Sequence, residues 1–125
     1  MTNDIHKFAQ EIRAEAEKAI KIELSKMPFL ELGLRIFMPL TINIVADQQA
    51  VSLTFLKDGN VQLDEHVSAN PDIVIQADFE TLKSLYHTRD RNHFAQAEKD
   101  GKIKITSHSW KGQQGETRIR ELFSS

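Results

Sequence analysis

Apolar residues near the amino terminus recur at spacings of three and four. They run from Asn3 to about Met27 and form one stripe: Ile5, Phe8, Ile12, Ala16, Ala19, Ile20, Leu24 and Met27. Side chains at this spacing lie on the same face of a helix. The pattern therefore predicts a long amphipathic helix whose apolar face packs on the rest of the protein.

The next stretch, residues 27–40, reads MPFLELGLRIFMPL and is mostly apolar. A bilayer span would need about 18 to 20 uninterrupted apolar residues, and Pro28 and Pro39 confine any helix to the middle of the stretch. Two interpretations remain open for it. One is a short buried helix between the prolines, and the other is an apolar flap over a cavity.

Between residues 40 and 77 the apolar period changes to two. This period is typical of half-buried strands with one wet face, as in an antiparallel sheet. Turn signals separate the strands: a weak one at residues 47–49, an Asp-Gly hairpin signal within residues 57–60, and a break at residues 70–72. The inward positions of the four predicted strands are Ile42 and Ile44, then Val51, Leu53 and Phe55, then Val61 and Leu63, and finally Ile73, Ile75 and Ala77.

A helical pattern follows directly after Asp78, which is a plausible helix cap. Its stripe is Phe79, Leu82, Leu85 and Tyr86. Residues 91–100 predict a second short helix around Phe94 and Ala97 that ends at Gly101. A fifth strand follows with Ile103 and Ile105 inward, then Trp110, a polar stretch with two glycines, and a short amphipathic helix carrying Ile119, Leu122 and Phe123.

This order of elements predicts an α+β fold. We expect a five-stranded, largely antiparallel sheet with helices packed on one face, enclosing a hydrophobic core or tunnel. The length of 125 residues fits one domain, residues 1–125. The formal charge of −2 argues against nucleic acid as a partner, and the lack of cysteine excludes disulfides and thiolate chemistry. Because no export signal is visible either, we expect a cytoplasmic protein.

Candidate chemistry is sparse. No two of the five histidines have the spacing of a zinc protease motif, and a zinc site at His87 and His93 would need Asp90 as a third ligand, so surface histidines are the preferred interpretation. Ser107-His108-Ser109 lacks the glycines of a nucleophile elbow. Arg89 and Arg91 beside Lys83 suggest either an anion site or a solvated loop. We predict no catalytic residue, no metal site and no cofactor.

Two stretches together resemble a known family. The first is Pro71-Asp72-Ile73-Val74-Ile75 followed by Asp78-Phe79-Glu80-Thr81-Leu82 and Leu85, and the second is Phe94 followed by Gly101-Lys102-Ile103-Lys104-Ile105. They are similar to the central motif of the type 2 sterol carrier proteins, and the order of elements matches from about residue 5 onward. Two stretches depart from the family pattern: residues 95–100 are longer by about one helical turn, and the stretch after Ser107 is more polar.

The resemblance implies a hydrophobic tunnel between sheet and helices that holds lipids, and binding in place of catalysis. We therefore expect non-catalytic binding of a fatty acid, acyl-CoA, sterol or isoprenoid, with transfer of the ligand left open. The alternative is an accessory protein-interaction module with a collapsed cavity. Transient membrane contact, a protein partner and a homodimer are left open. The expected ligand-lining residues are Phe29, Leu34, Ile36, Phe37, Ile73, Ile75, Leu82, Leu85, Tyr86, Phe94 and Trp110.

Overall fold

A computed structural model describes residues 4–26, 39–56, 60–121 and 123. Its elements follow the predicted order of helices and strands. Four helices and five strands occur within these residues: α1 (Asp4–Lys26), β1 (Leu40–Ala46), β2 (Gln49–Phe55), β3 (Val61–Asp64), β4 (Ile73–Ala77), α2 (Phe79–Thr88), α3 (Arg91–Lys99), β5 (Ile103–Ser107) and α4 (Trp110–Glu121). The interpretations of the 27–40 stretch, as helix or flap, lie almost wholly outside the described residues.

The five strands form one sheet in the order β3-β2-β1-β4-β5. Three neighbouring pairs are antiparallel, as predicted, but the central pair of β1 and β4 is parallel, with Ile42 opposite Ile73. Parallel neighbours need a crossover connection, and residues 65–72 belong to it. The buried side-chain amide of Asn43 in β1 holds this connection: it donates to the carbonyl of Ser68 and accepts the N–H of Ser68, each at 3.0 Å.

The hydrophobic core lies between the sheet and the helices. Helix α1 packs across β2 and β3, and α4 packs across β4 and β5. The stripe predicted for α1 is buried at Ile5, Phe8, Ile12 and Ala16, whereas its side chains from residue 19 onward lie outside the described part. The helices and the inward side of the sheet share one buried cluster, which confirms the predicted α+β layering.

Local sequence explains where α2 and α3 begin and end. The carboxylate of Asp78 accepts the backbone N–H of Thr81 at 2.8 Å, which is an N-cap. Helix α3 ends at Lys99, and Gly101 follows with a φ of 77° that suits glycine, while the N–H of Lys102 donates to the carbonyl of Ala97 at 2.9 Å. The helix includes residues 95–99 of the stretch that departs from the family pattern.

The prediction for the last helix is wrong in its extent. Helix α4 begins at Trp110, includes the polar stretch with both glycines, and ends before Phe123. Glycine has a low helix propensity, so sequence alone favours a loop there. In the structure Gly112 and Gly115 are both buried and face the sheet. A Cβ on Gly112 would overlap the carbonyl oxygen of Asp72, so the helix comes this close only because that atom is missing.

Asp72 joins three elements at this end of the sheet. Its carboxylate accepts the backbone N–H of Thr41 in β1 at 2.9 Å and the hydroxyl of Ser109 at 2.6 Å. Ser109 in turn caps α4, because its hydroxyl accepts the N–H of Gly112 at 3.0 Å. The backbone of Asp72 also donates to Thr41 and accepts from His108, each at 2.8 Å. One residue therefore aligns β1, the end of β5 and the start of α4.

We expect Gly112→Ala to destabilise the protein. The new methyl group would press on the Asp72 backbone, which has no flexible side chain to move away. Crowding of this kind costs about 1 to 3 kcal/mol or more, and it exceeds the gain of about 1 kcal/mol that alanine brings to a helix. Urea unfolding monitored by circular dichroism measures the difference.

Two matched variants of the same helix serve as controls. At Gly115 a Cβ meets the flexible side chain of Leu40 at 3.1 Å, so Gly115→Ala should change stability much less. Gln114 is exposed, and Gln114→Ala should be neutral or slightly stabilising. Equal urea midpoints for Gly112→Ala and Gly115→Ala would contradict the assigned close approach.

Candidate functional site between helices and sheet

Six of the predicted lining residues come together in the interior. Each is at most 5% exposed and belongs to the single core cluster: Ile73, Ile75, Leu82, Leu85, Tyr86 and Phe94. Trp110, which was also predicted to line the ligand site, does not join them, since it is 60% exposed at the start of α4. The other four predicted residues lie outside the described residues: Phe29, Leu34, Ile36 and Phe37.

Aromatic rings connect the helices across this interior. Phe123 stacks on Phe94 with ring centroids 5.1 Å apart and meets Tyr86 edge-on at 6.1 Å. Phe8 of α1 meets Tyr86 edge-on at 5.3 Å. The sequence prediction of the site missed Phe8 and Phe123, although their places in the apolar stripes of the two terminal helices were a usable signal. The aromatic contacts make this interior well packed within the described residues.

A polar clasp at the edge of this interior joins α1 to α2. The hydroxyl of Tyr86 donates to the carboxylate of Glu15 at 2.6 Å, and the guanidinium of Arg89 donates to the same oxygen. Arg89 also lies 4.8 Å above the Tyr86 ring. The positive charge of Arg89 is therefore paired with a carboxylate of the protein. In the anion site considered from the sequence, it would instead bind an external anion.

The clasp changes the acid–base properties of its members. The hydrogen bond from Tyr86, with the neighbouring Arg89, lowers the pKa of the Glu15 carboxyl group below its ordinary value. Burial, together with the hydrogen bond to Glu15, raises the pKa of the Tyr86 hydroxyl well above its ordinary value. The Tyr86 hydroxyl therefore stays protonated and remains a donor at physiological pH.

The residues considered for metal binding have structural contacts. His87 lies with Nε2 3.2 Å from Oε1 of Glu11 in α1. Asp90 caps α3 by accepting the N–H groups of Asn92 and His93. Among the described residues no group of three or more His, Asp or Glu side chains is placed to hold a metal ion.

The polar residues around α4 are likewise engaged with one another. Ser107 of β5 donates its hydroxyl to Glu116 at 2.6 Å, and Glu116 accepts from Arg120 at 3.3 Å. Arg120 also holds Glu98 of α3 through two hydrogen bonds of 2.7 and 3.2 Å. Bidentate pairs of this kind fix geometry well. The polar stretch that set this chain apart from the family pattern thus ties α4 to β5 and α3.

An open groove of about 370 Å³ lies between α2 and α3. Leu85 and Ala97 line it and also belong to the hydrophobic core, so they separate the groove from the interior. Its other lining residues are polar: Glu80, Thr81, Ser84, His93, Gln96, Asp100 and Lys102. Sequence reasoning missed the groove because its residues come from two helices and from the turn before β5.

Within the described ranges, no helix combines the length and the apolar character that crossing a membrane requires.

Comparison with known proteins places the fold. No protein-family model and no curated protein sequence matches the chain. Among solved structures, a UbiJ-SCP2 ubiquinone synthesis protein is similar over 93% of this chain and 92% of its own, with a TM-score of 0.52 and 15% sequence identity. A double mutant of a sec-alkylsulfatase matches with a TM-score of 0.52 and 20% identity over 69% of this chain, but only 13% of the enzyme.

A third structure, a solution structure of a conserved hypothetical protein from Thermus thermophilus, shares 19% identity over 69% of this chain, and its TM-score of 0.34 is too low to bear on the fold. The first of these likenesses extends over nearly the whole of both chains. The fold is therefore that of the type 2 sterol carrier proteins, as the sequence motif predicted.

We expect the clasp to contribute stability that depends on pH. Because the pKa of Glu15 is lowered on folding, its contribution is complete above the ordinary value of 4.5 and is lost as pH falls through the folded value. At pH 7, Glu15→Gln should lower the unfolding free energy by about 1 kcal/mol or less, since the carboxylate is 47% exposed and partly screened. At pH 3 the difference in unfolding free energy between Glu15→Gln and the wild type should be smaller. Urea unfolding at both pH values measures it.

Glu17→Gln, on the same helix, is the matched control, since its partner Arg13 is 3.6 Å away and also lies on α1. We expect a smaller change at pH 7 for this variant. A Glu15→Gln defect that is the same size at pH 3 and pH 7 would show that the carboxylate charge plays no part in the clasp.

Proposed function

We propose that this protein binds a hydrophobic lipid between its sheet and its helices without changing it chemically. The observation that carries the proposal is the fold, which is shared with a UbiJ-SCP2 protein over 93% of this chain and 92% of that one. An isoprenoid is our preferred ligand among the fatty acid, acyl-CoA, sterol and isoprenoid classes. The support is that this neighbour is described as a ubiquinone synthesis protein, and ubiquinone carries an isoprenoid chain.

The inward side of the sheet supports such a ligand by its composition. Residues of all five strands, among them Ile42, Leu53, Val61, Ile75 and Ile103, are apolar and nearly inaccessible to solvent. Burying a chain of roughly 14 carbons there would gain about 11 kcal/mol at about 0.8 kcal/mol per CH₂, before the costs of association. Micromolar affinity is thus within the reach of apolar contacts alone.

A second function is favoured by the packing. Phe94 stacks on Phe123, and Tyr86 meets both Phe8 and Phe123, so aromatic rings occupy space that a ligand would need. Under this alternative the protein is an accessory module with a collapsed cavity that contacts a protein partner or a second copy of itself. A single substitution on α3, Ala97→Leu, distinguishes the two functions, because each function predicts a different effect of it on lipid binding and on stability.

We expect Ala97→Leu to weaken lipid binding at least fivefold while leaving the melting temperature of the ligand-free protein unchanged or higher. Ala97 is buried in the core, so three added carbons would occupy space that a ligand uses. Native mass spectrometry of the purified protein and thermal shifts with fatty acids, acyl-CoA, sterols and isoprenoid quinones measure binding. Ala95→Leu, on the exposed side of the same helix, should leave binding unchanged.

If the protein is the accessory module with a collapsed cavity, we expect the opposite results for Ala97→Leu and for the lipids. In a filled core the larger side chain costs about 1 to 3 kcal/mol of stability, and none of the lipids shifts the melting temperature. A protein that carries no lipid and is destabilised by Ala97→Leu but not by Ala95→Leu would reject lipid binding in favour of the accessory role.

A further inference from the structure

The groove between α2 and α3 is next to the interior in which we place the lipid. Leu85 and Ala97 are the two residues that line the groove and also belong to the core cluster. A single layer of side chains therefore separates the two spaces. A lipid whose chain occupies the interior near these residues would have its polar end at the groove.

The charges that line the groove have a net negative sum. Glu80 and Asp100 contribute two carboxylates, and Lys102 contributes one ammonium group. The Lys102 charge also acts on Asp78: hydrogen bonds from Thr81 lower the pKa of the Asp78 carboxyl group, and the field of Lys102 adds to this effect. An anionic group in the groove would face net repulsion.

Two of the hydrogen-bond donors that line the groove are already used within the protein. The hydroxyl of Thr81 donates to Asp78 at 2.7 Å, and the side-chain amide of Gln96 donates to Asp100 at 2.9 Å. These two donors are thus turned toward carboxylates of the protein. The lining also has acceptors in the carboxylates of Glu80 and Asp100, and donors in Lys102 and the hydroxyl of Ser84. The groove therefore suits a group that both donates and accepts hydrogen bonds and carries no negative charge.

We propose that the groove receives the polar end of the bound lipid, and that this end is an uncharged hydroxyl group in place of a carboxylate or phosphate. The inference rests on the proposed function, and it specifies the class of lipid for that same site. The hydrophobic effect is non-directional and cannot distinguish lipids of equal chain length. We therefore expect the polar groove to select among lipids that have the same chain length.

Two ligands with the same chain test the inference. We expect 1-hexadecanol to bind roughly three- to tenfold more tightly than hexadecanoate at neutral pH, because only the carboxylate meets the negative charge of the groove. Both affinities are measured by displacement of a fluorescent fatty-acid probe. In Asp100→Lys the preference should fall at least threefold, since the groove gains two positive charges. Glu80→Lys, at the opposite side of the groove on α2, should act in the same direction.

Asp64→Lys is the matched control, because it makes the same change of charge at an exposed position on β3, at the far edge of the sheet. Its ratio of affinities should equal that of the wild type. Hexadecanoate binding as tightly as hexadecanol, or an equal effect of Asp64→Lys and Asp100→Lys, would overturn the inference and leave lipid binding intact. If neither ligand binds at all, the proposed function fails, and this inference fails with it.

Discussion

The close contact between the first turn of α4 and the backbone of Asp72 is the constraint on which the rest of the structure depends. Gly112 has no side chain to hold the helix away, and the Asp72 carboxylate accepts hydrogen bonds from Ser109 at the helix start and from the backbone N–H of Thr41 in β1. This contact fixes where α4 crosses β4 and β5. The position of α4 in turn brings Ile119 and Phe123 into the core.

The apolar contacts stabilise this fold, whereas the polar contacts mainly fix the positions of its helices. The core cluster spans the sheet and the helices and supplies most of the favourable free energy. Ion pairs at the periphery are partly exposed, and such pairs contribute little individually. What they contribute is geometry: Glu15 holds α1 against α2, and Arg120 holds α4 against α3.

The fold narrows the function without naming a ligand. A shared architecture is compatible with many functions and many ligands, so the choice of ligand depends on the chemistry of the site. In this protein the interior is apolar and cannot tell one long chain from another, whereas the adjoining groove has carboxylates, hydroxyls and a net charge. The aromatic rings that fill the interior are the observation that sets the accessory module against the lipid carrier.

The sequence by itself determined the features that depend on neighbours along the chain. The periods of apolar residues predicted α1 and all five strands, and Asp78 and Gly101 marked helix ends, because caps and amphipathic faces are local properties. The ordered motif of residues 71–105 also predicted the fold correctly. Only the tertiary structure decided what depends on distant residues: the parallel pairing of β1 with β4, the helix through Gly112, and the groove between α2 and α3. A glycine that weakens an isolated helix is favourable where another backbone approaches it, and that approach is set by contacts far apart in sequence.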